Sequence, residues 1–260
     1  MMKQMMERMN WDEKALHSEI EYSKALGGKA VEYRNFIYIY NKSVPWGGDF
    51  NRVVGAKISD FKSFSEMVEQ VENIHKKKKL ERPDRYDIYP PALYEGIWNS
   101  FLSKMGYNLT TVIFFYSPTV DKNLSSELTL YSPSESEYIE WFHHQQKTRS
   151  YFEEEWFQRL KPLKLNFIKI FKPYWLLRNQ KIVGWIYCAC FDEYCRLFEV
   201  EIEEECRGCG LGRILLDAIR IECGKQGVRF VLLQSSERLR NFYERSNFKE
   251  CTKNSVIRLK

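Results

Sequence analysis

A glycine-rich turn near the C-terminal end of the chain has the residue types of an anion-binding site. Glycine lets the backbone come close to a ligand. At the start of a helix, the first N–H groups are free and the positive end of the helix dipole lies beside them, so both attract an anion. A strand-like run over 197–202 precedes the turn, and a helix-like run from Arg213 to about Cys223 follows it. The pattern therefore predicts a site for a phosphate or pyrophosphate group. The turn consists of Arg207, Gly208, Cys209, Gly210, Leu211 and Gly212.

Two better-known phosphate-binding patterns do not fit this turn. A P-loop needs Gly-Lys-Ser/Thr at the start of its helix, whereas Gly212 is followed here by Arg213 and Ile214. A Rossmann fingerprint needs GxGxxG early in a βαβ unit and an acidic residue about 20 positions later. The glycines of this turn are spaced differently and lie late in the chain. From the turn alone, a helix start without any ligand remains the alternative.

The residues that follow the turn favour a ligand-binding turn over a helix start without a ligand. The run 229–234 reads as a buried strand, and 239–248 follows it as a short helix and its end. This order of motifs resembles the GNAT acetyltransferase superfamily over roughly residues 127–260. The acyl-CoA signature of that family, Arg/Gln-x-x-Gly-x-Gly/Ala, is matched by the turn, and its usual Tyr-x-x-x-Gly-Phe ending is matched by 243–248.

The chain departs from the family pattern at two positions. Asn247 stands where glycine is usual, and asparagine is the next best residue for a left-handed helix end. Ser236 stands where asparagine is common, which puts one side-chain contact to the cofactor in doubt.

The resemblance implies a mixed α/β fold, in which a twisted mixed sheet is flanked by helices and an N-terminal α/β half packs on it. It also implies acetyl-CoA as the cofactor. In the family, the strand before the turn splays from its neighbour, so its backbone can hold the pantetheine arm and an N–H there can stabilise an oxyanion. The cofactor-binding residues implied in this way are Val200, Glu201, Ile202, Arg207, Gly208, Cys209, Gly210, Leu211, Gly212, Arg213 and Ser236.

Acyl transfer to an amine also needs an acid and a base. Tyr243 matches the tyrosine that usually protonates the leaving thiolate in the family; a core-facing helix residue is the alternative. Glu199 and Glu201 are candidate bases, on the face opposite Val200 and Ile202 if their strand is regular. The other candidates are Glu193, His143, His144 and a water chain that needs no single base. Cys209 reads as a small turn residue rather than a nucleophile, because no histidine lies near it in sequence.

Composition indicates where the protein is found and which kinds of partner it has. The chain has 260 residues, 44% of them hydrophobic, and a net charge of +5. Its N-terminus lacks an apolar signal core and no apolar run is long enough for a membrane span, so we expect a cytoplasmic protein without a membrane partner. The seven scattered cysteines predict reduced thiols, with neither a metal site nor a disulfide framework. The run Lys76–Lys79 reads as a solvated helix end rather than a nucleic-acid contact.

The chain divides by pattern into three parts. Residues 1–116 read as an N-terminal α/β region, with helices over 1–26, 63–74 and 93–104. Their βαβαβ order resembles a degenerate GNAT-like half without its own cofactor. Residues 117–126 are polar and rich in breakers, which predicts a linker. Residues 127–260 form the GNAT-like domain, where Ser134 and Glu137 are spaced as a capping box. The loop 45–51 reads as a structured loop, with a lid over a substrate cleft as the alternative.

The sequence thus predicts a cytoplasmic N-acetyltransferase. A bound primary amine, from a small molecule or a peptide, would attack acetyl-CoA directly in a ternary complex. We expect a monomer or homodimer and no nucleic-acid partner. A non-catalytic acyl-CoA-binding sensor or interaction protein is the alternative, and it would keep the glycine turn without needing Tyr243.

Overall fold

The computed structural model describes residues 10–42, 51–80, 85–88, 95–120, 127–148 and 154–259. Within these ranges the elements are, in chain order, α1 (Trp11–Ala25), β1 (Lys29–Glu32), β2 (Ile37–Tyr40), β3 (Arg52–Ala56), α2 (Phe61–Lys78), β4 (Arg85–Ile88), α3 (Glu95–Lys104), β5 (Tyr107–Pro118), β6 (Leu128–Tyr131), α4 (Glu135–Thr148), α5 (Glu154–Ile170), β7 (Lys172–Arg178), β8 (Lys181–Phe191), β9 (Tyr194–Ile202), α6 (Leu211–Lys225), β10 (Phe230–Ser236), α7 (Arg240–Arg245) and β11 (Lys249–Leu259). No described helix is long and apolar enough to cross a membrane.

The chain forms two compact units whose boundaries differ from the sequence-based ones. The first unit contains residues 1–114 and 251–260, and the second contains 115–250. The C-terminal residues belong to the first unit because β11 pairs antiparallel with β4, with Ser255 opposite Ile88. The first two positions of the expected linker lie in β5. The linker residues 121–126 and most of the loop 45–51 lie outside the described residues.

The first unit follows the strand order β1-β2-β3-β4-β11-β5, in which β3 and β4 are parallel. Its helix α2 is longer than periodicity predicted. Asp60 and Ser63 hydrogen-bond each other's backbone N–H groups in a capping box, which fixes the helix start. The lysine run forms its last turn, where positive charge complements the helix dipole, and Lys79 ends the helix in the left-handed conformation.

A buried ion network ties α1 of the first unit to its sheet. Arg52 is fully buried, and its guanidinium lies 3.0 Å from the carboxylates of both Glu19 and Asp87. Arg85 donates to the other oxygen of Asp87 at 2.9 Å. Charges can be buried only when they are paired and hydrogen-bonded, so each member of this network depends on the others.

The second unit is built on an antiparallel ladder, β6-β7-β8-β9, continued by β10 parallel to β9. Helices α4 and α5 cover one face, where Trp141 of α4 contacts Trp185 and Phe167 of α5 contacts Tyr187. Helix α6 covers the other face, where Cys223 contacts Cys188. The predicted capping box at the start of α4 is present: Glu137 accepts from the Ser134 N–H at 2.7 Å, and Ser134 accepts from the Glu137 N–H.

The expectation that all cysteines are reduced and that no disulfide forms is wrong. Cys190 and Cys195 form a disulfide, because the β8–β9 hairpin brings them directly opposite each other. The other five cysteines are not part of a disulfide. Among these, Cys206 and Cys209 have the Cys-x-x-Cys spacing but are not joined.

Candidate active site

A gap opens between β9 and β10 in front of the glycine turn. The two strands pair in parallel only over 194–196 and 230–232. Residues 197–202 of β9 and 233–236 of β10 lie beyond this pairing, so both strands turn unpaired edges toward the gap. The side chain of Arg196 bridges the start of the gap, donating to Gln234 at 3.2 Å. The second part of β9 therefore has backbone groups that can bind an extended ligand.

A β-bulge in β9 contradicts the expected regular strand. Phe198 pairs with Tyr187 and Glu201 pairs with Trp185, so Glu199 and Val200 together face one residue of β8. Glu199 has a φ of 48°, which places it in the left-handed region. The extra residue reverses the alternation of side chains, and bulges often re-aim side chains in this way. Glu201 consequently lies on the face that carries Trp185.

The turn itself presents a row of free backbone donors. Gly208 and Gly210 have φ values of 80° and 77°, which favour glycine. Gly210 precedes α6 without any side-chain cap. The N–H groups of 208–212 have no hydrogen-bond acceptor among the described residues. Five successive donors at the positive end of a helix dipole can bind an anion such as a pyrophosphate.

Gly212 serves a different purpose from the other glycines of the turn. A Cβ atom at this position would lie 3.1 Å from Cζ of Phe242 and 3.7 Å from Cγ1 of Ile202. The glycine therefore lets the first turn of α6 approach both β9 and α7. This close approach holds the turn at the mouth of the gap.

Two arginines flank the turn, and one of them is held in place. Arg207 donates to the carbonyl of Ile202 at 3.1 Å and lies 3.8 Å from the Glu201 carboxylate. Arg213 is exposed on the first turn of α6. Cys209 is exposed, and its thiol points at the carbonyl of Arg207 at 3.7 Å. Both guanidinium groups can add positive charge to the backbone donors.

Tyr243 is buried at the start of the gap, with only 6% of its surface exposed. Its ring packs against Phe115 and Phe248, and its phenol is hydrogen-bonded to Ser235, a residue the sequence reasoning missed. Burial raises the pKa of the Tyr243 phenol, while the hydrogen bond to Ser235 acts in the opposite direction. The phenol therefore keeps its proton at neutral pH and can act as a donor. Ser236, the predicted contact, is exposed at the end of β10 and makes no capping hydrogen bond.

The family model of the acetyltransferase (GNAT) domain matches residues 172–250. Over this segment the chain is similar to a GNAT domain. A [ribosomal protein bS18]-alanine N-acetyltransferase of Haemophilus influenzae is 30% identical to the chain over 77 residues. The match spans 29% of this chain and 53% of that protein, so the chain covers about half the length of this curated relative.

Two solved structures resemble the fold over most of the chain. One is a functionally unknown conserved protein of Staphylococcus epidermidis, with a TM-score of 0.69 at 12% identity, covering 90% of this chain and 95% of that one. The other is a GCN5-related N-acetyltransferase from Kribbella flavida, with a TM-score of 0.64 at 10% identity, covering 94% and 95%. The predicted GNAT-like mixed α/β fold is thereby confirmed.

The candidate bases of the GNAT domain lie at different places. Glu199 is paired with Lys164 of α5 at 3.8 Å. Glu193 lies in the β8–β9 hairpin turn, about 30 Å of extended strand from Ile202. His143 is paired with Glu154 at 3.7 Å in an outer cleft between α4 and α5, and His144 is exposed. The structure thus brings only Glu199 and Glu201 to the strand beside the gap.

Sequence reasoning also missed an aromatic row that leads to Glu201. Tyr131, Trp175, Trp185 and Glu201 lie opposite one another on four adjacent strands. Trp141 of α4 packs over Trp175 and Trp185, with ring centroids 5.6 and 5.1 Å away. The domain therefore combines a carboxylate and large apolar rings on the face beneath α4. Trp175 and Trp185 are buried under α4, so these rings are part of the core that supports the strand position of Glu201.

Proposed function

We propose that this chain is an N-acetyltransferase that uses acetyl-CoA and acts on a primary amine of a small molecule or a peptide. The observation that carries the proposal is the row of five free N–H groups in the 208–212 turn, at the mouth of the β9–β10 gap. Any helix start leaves its first N–H groups free, but here those of Gly208 and Cys209 extend the row beyond the helix start, and the gap lies in front of it.

The residues of the gap fit acetyl-CoA. The N–H groups of 208–212 would bind its pyrophosphate, and Arg207 and Arg213 would add positive charge there. The unpaired edge formed by Val200, Glu201 and Ile202 would hold the pantetheine arm. The bound thioester supplies an activated acetyl group. A backbone N–H of this edge would stabilise negative charge on the carbonyl oxygen during attack.

Tyr243 would serve as the general acid. A tyrosine phenol, with an ordinary pKa of about 10, is neutral at pH 7, and burial raises the pKa of Tyr243 further, while a hydrogen bond to Ser235 fixes the group. An acid must carry its proton into the reaction and release it to the leaving sulfur. The raised pKa provides the first of these properties, and the orientation imposed by Ser235 favours the second.

Glu201 would assist the loss of a proton from the amine. It lies on the Trp185 face, and its negative charge adds, after burial, to the raised pKa of the Tyr243 phenol. Both carboxylates lie 3.8 Å from a cation, but Glu199 is the weaker candidate, because its partner Lys164 is mostly buried whereas Arg207, the partner of Glu201, is exposed and more strongly screened by solvent. A water molecule between the amine and Glu201 would serve equally well as a relay.

Calorimetric titration with acetyl-CoA tests the proposal. We expect micromolar binding by the unaltered chain and none by a Gly210→Trp variant, whose side chain would cover the N–H groups. Gly227→Trp is the matched control, because Gly227 has the same left-handed φ, 80°, and equally open surroundings. Failure of the unaltered chain to bind would mean that the turn is structural, and the enzyme proposal would fall.

An amine panel separates the enzyme from a non-catalytic sensor. The panel should contain small primary amines and peptides that begin with alanine, because alanine appears in the name of the curated relative. Acetylation of any member supports the enzyme. Tight acetyl-CoA binding without turnover across the panel would favour the sensor.

The remaining expectations belong to the same proposal. We propose a cytoplasmic monomer or homodimer that acts on neither nucleic acid nor membranes, with residues 1–116 as a degenerate GNAT-like region and 127–260 as the acetyltransferase domain. Nucleic-acid binding through Lys76–Lys79 would show itself as a steep dependence of RNA or DNA affinity on salt. We expect no binding even at low salt.

A further inference from the structure

Four of the seven cysteines converge at one place in the second unit. They are Cys188 and Cys190 of β8, Cys195 of β9 and Cys223 of α6. Their four sulfur atoms all lie within 4.8 Å of one another, and the sulfurs of Cys188 and Cys223 are 3.5 Å apart. No other group of three or more His, Cys, Asp or Glu side chains in the described part of the chain converges in this way.

Regular secondary structure brings these sulfurs together. Cys188 and Cys190 are two residues apart on one strand and so share a face. Cys195 lies opposite Cys190 across the hairpin, and α6 lays Cys223 against Cys188 on the same face. The cluster therefore rests on strand pairing and helix packing, which hold ligand atoms more firmly than a loop would.

The spacing of the sulfurs approaches that of a tetrahedral thiolate site. Zinc–sulfur bonds of about 2.3 Å in a tetrahedron place the sulfurs about 3.8 Å apart. The 3.5 Å separation of the Cys188 and Cys223 sulfurs and the 4.8 Å limit for the whole group lie on either side of this value. A disulfide alone would account for only two of the four cysteines.

We propose that the chain binds one zinc ion through Cys188, Cys190, Cys195 and Cys223 when the Cys190–Cys195 disulfide is reduced. A dithiol reductant supplies the two electrons and becomes a disulfide, while the Cys190–Cys195 bond breaks to give two thiols. Zinc then replaces one proton on each of the four thiols, and four Zn–S bonds form. The disulfide and the zinc-bound form exclude each other, because both use the same two sulfurs.

The surroundings suit a site of this charge. Four thiolates and one zinc ion carry a net charge of −2, and Lys172 lies opposite Cys188 on β7, where it can offset that charge. The Gln226 side chain donates to the Tyr174 hydroxyl at 3.3 Å, and its amide oxygen lies 3.6 Å from the Cys190 sulfur. The zinc form has no thiol proton at Cys190, so the amide would have to turn over for its N–H to donate to that sulfur.

The burial of the ligands assigns the site a structural role. Cys188, Cys195 and Cys223 are buried, and Cys190 is exposed, which gives the ion a side of entry. A site with four protein ligands leaves no open position for chemistry. The zinc ion would join the β8–β9 hairpin to α6, the helix that begins at the glycine turn.

Cobalt binding tests the proposal on the whole chain. The protein is reduced with a phosphine, freed of metals under argon and titrated with Co²⁺, whose absorption bands identify tetrahedral thiolate coordination. We expect one cobalt ion per chain, displaced by one zinc ion. We also expect zinc to protect four of the seven cysteines from alkylation, and mass spectrometry identifies which four.

Two variants and one control make the test specific. Cys188→Ser should lose stoichiometric cobalt binding and its thiolate absorption bands. Cys190→Ser removes an exposed ligand, so it keeps the test available if Cys188→Ser does not fold, and it should bind cobalt at least tenfold more weakly. Cys251→Ser, in the first unit, removes one cysteine outside the cluster and should still bind one ion.

Three results would overturn the proposal. The first is that the reduced chain takes up neither cobalt nor zinc. The second is that cobalt binds without thiolate absorption bands, and the third is that alkylation proceeds equally at all seven cysteines with zinc present. The first of these, together with rapid return of the Cys190–Cys195 disulfide in air, would identify the cluster as a disulfide site only.

Discussion

In the first unit, a group of charged side chains around Arg52 is buried and paired internally. In the second unit, the backbone N–H groups of the 208–212 turn remain available to a ligand. Arg52 has no exposed surface, and both of its carboxylate partners are protein side chains. The 208–212 turn, by contrast, holds five N–H groups without an acceptor among the described residues. Polar groups that satisfy each other stabilise a fold, and polar groups that are held apart and unsatisfied are available to a ligand.

The difference helps to interpret the two halves of the sequence. Both contain alternating strands and helices, and order alone assigns neither a function. The second unit has the splayed β9–β10 pair, the bulge at Glu199 and the uncapped start of α6. The described part of the first unit contains an ion network in place of such a turn. Binding should therefore be lost through changes in the second unit, and folding through changes in the first.

The largest effect should come from breaking the ion network. Asp87→Ala leaves Arg52 and Arg85 without their shared carboxylate inside the first unit, and removing one partner of a buried pair costs about 3–5 kcal/mol. Urea unfolding followed by circular dichroism measures the loss. Glu66→Ala, which removes an exposed partner of Lys62, is the control and should cost no more than about 1 kcal/mol. Equal losses in the two variants would contradict the comparison.

Tyr243→Phe tests the proposed catalytic role of the second unit. The change keeps the buried ring and removes the proposed acid, so kcat should fall about 100-fold, at the lower end of general-acid effects. The affinity for acetyl-CoA should stay the same, because binding depends on the turn. Tyr174→Phe is the matched control: it also removes a buried phenol that takes part in a hydrogen bond, here with Gln226, and it should leave kcat unchanged. Unaltered turnover in Tyr243→Phe would remove the acid role.

Much of the second unit could be predicted because its signals are local. The glycine turn, the capping box at Ser134 and the left-handed Asn247 are each determined by a few neighbouring residues. Local backbone preferences act in the same way in the sequence and in the fold. The order of these signals was sufficient to predict the GNAT fold.

The sequence could not predict which side chains lie opposite each other across β7, β8 and β9, because these strands are irregular. A two-residue turn at Asn179 and Gln180 would place Trp175 opposite Gly184, but a register shift after Leu177 places it opposite Trp185. The bulge at Glu199 reverses the sides of the following residues in the same way. A shift of one residue moves a side chain to the other face, so the aromatic row could not be derived from alternation.

The bulge supports a prediction about the two glutamates. Glu201→Gln should lower kcat/KM about tenfold, equivalent to about 1.4 kcal/mol, because Glu201 lies on the Trp185 face and its charge acts on Tyr243. Glu199→Gln should change kcat/KM less than twofold, because the Glu199 carboxylate is paired with the mostly buried Lys164, whereas the cation beside Glu201, Arg207, is exposed. The two changes are chemically identical and two residues apart, so each is a control for the other. The reverse order of effects would make Glu199 the base.

The smallest predicted effect is a loss of stability at alkaline pH, and both units should show it, because each core contains a tyrosine whose pKa is raised by burial. Burial raises the pKa of Tyr38 in the first unit and of Tyr138 in the second, above the unfolded value of about 10. Above that pH the unfolded chain loses protons that the folded chain keeps. Stability should therefore be complete below pH 10 and fall as pH rises, by at most about 1.4 kcal/mol per pH unit for each tyrosine.

Urea unfolding at a series of alkaline pH values measures this slope. Tyr38→Phe and Tyr138→Phe should each flatten it by one such increment, since a phenylalanine has no proton to lose and the lysines are the same in all three proteins. Equal flattening would show that the two cores exclude water alike and that the units differ only in how they use charge. Flattening by one variant alone would mean that desolvation also differs between the units, and the comparison would then extend to their cores.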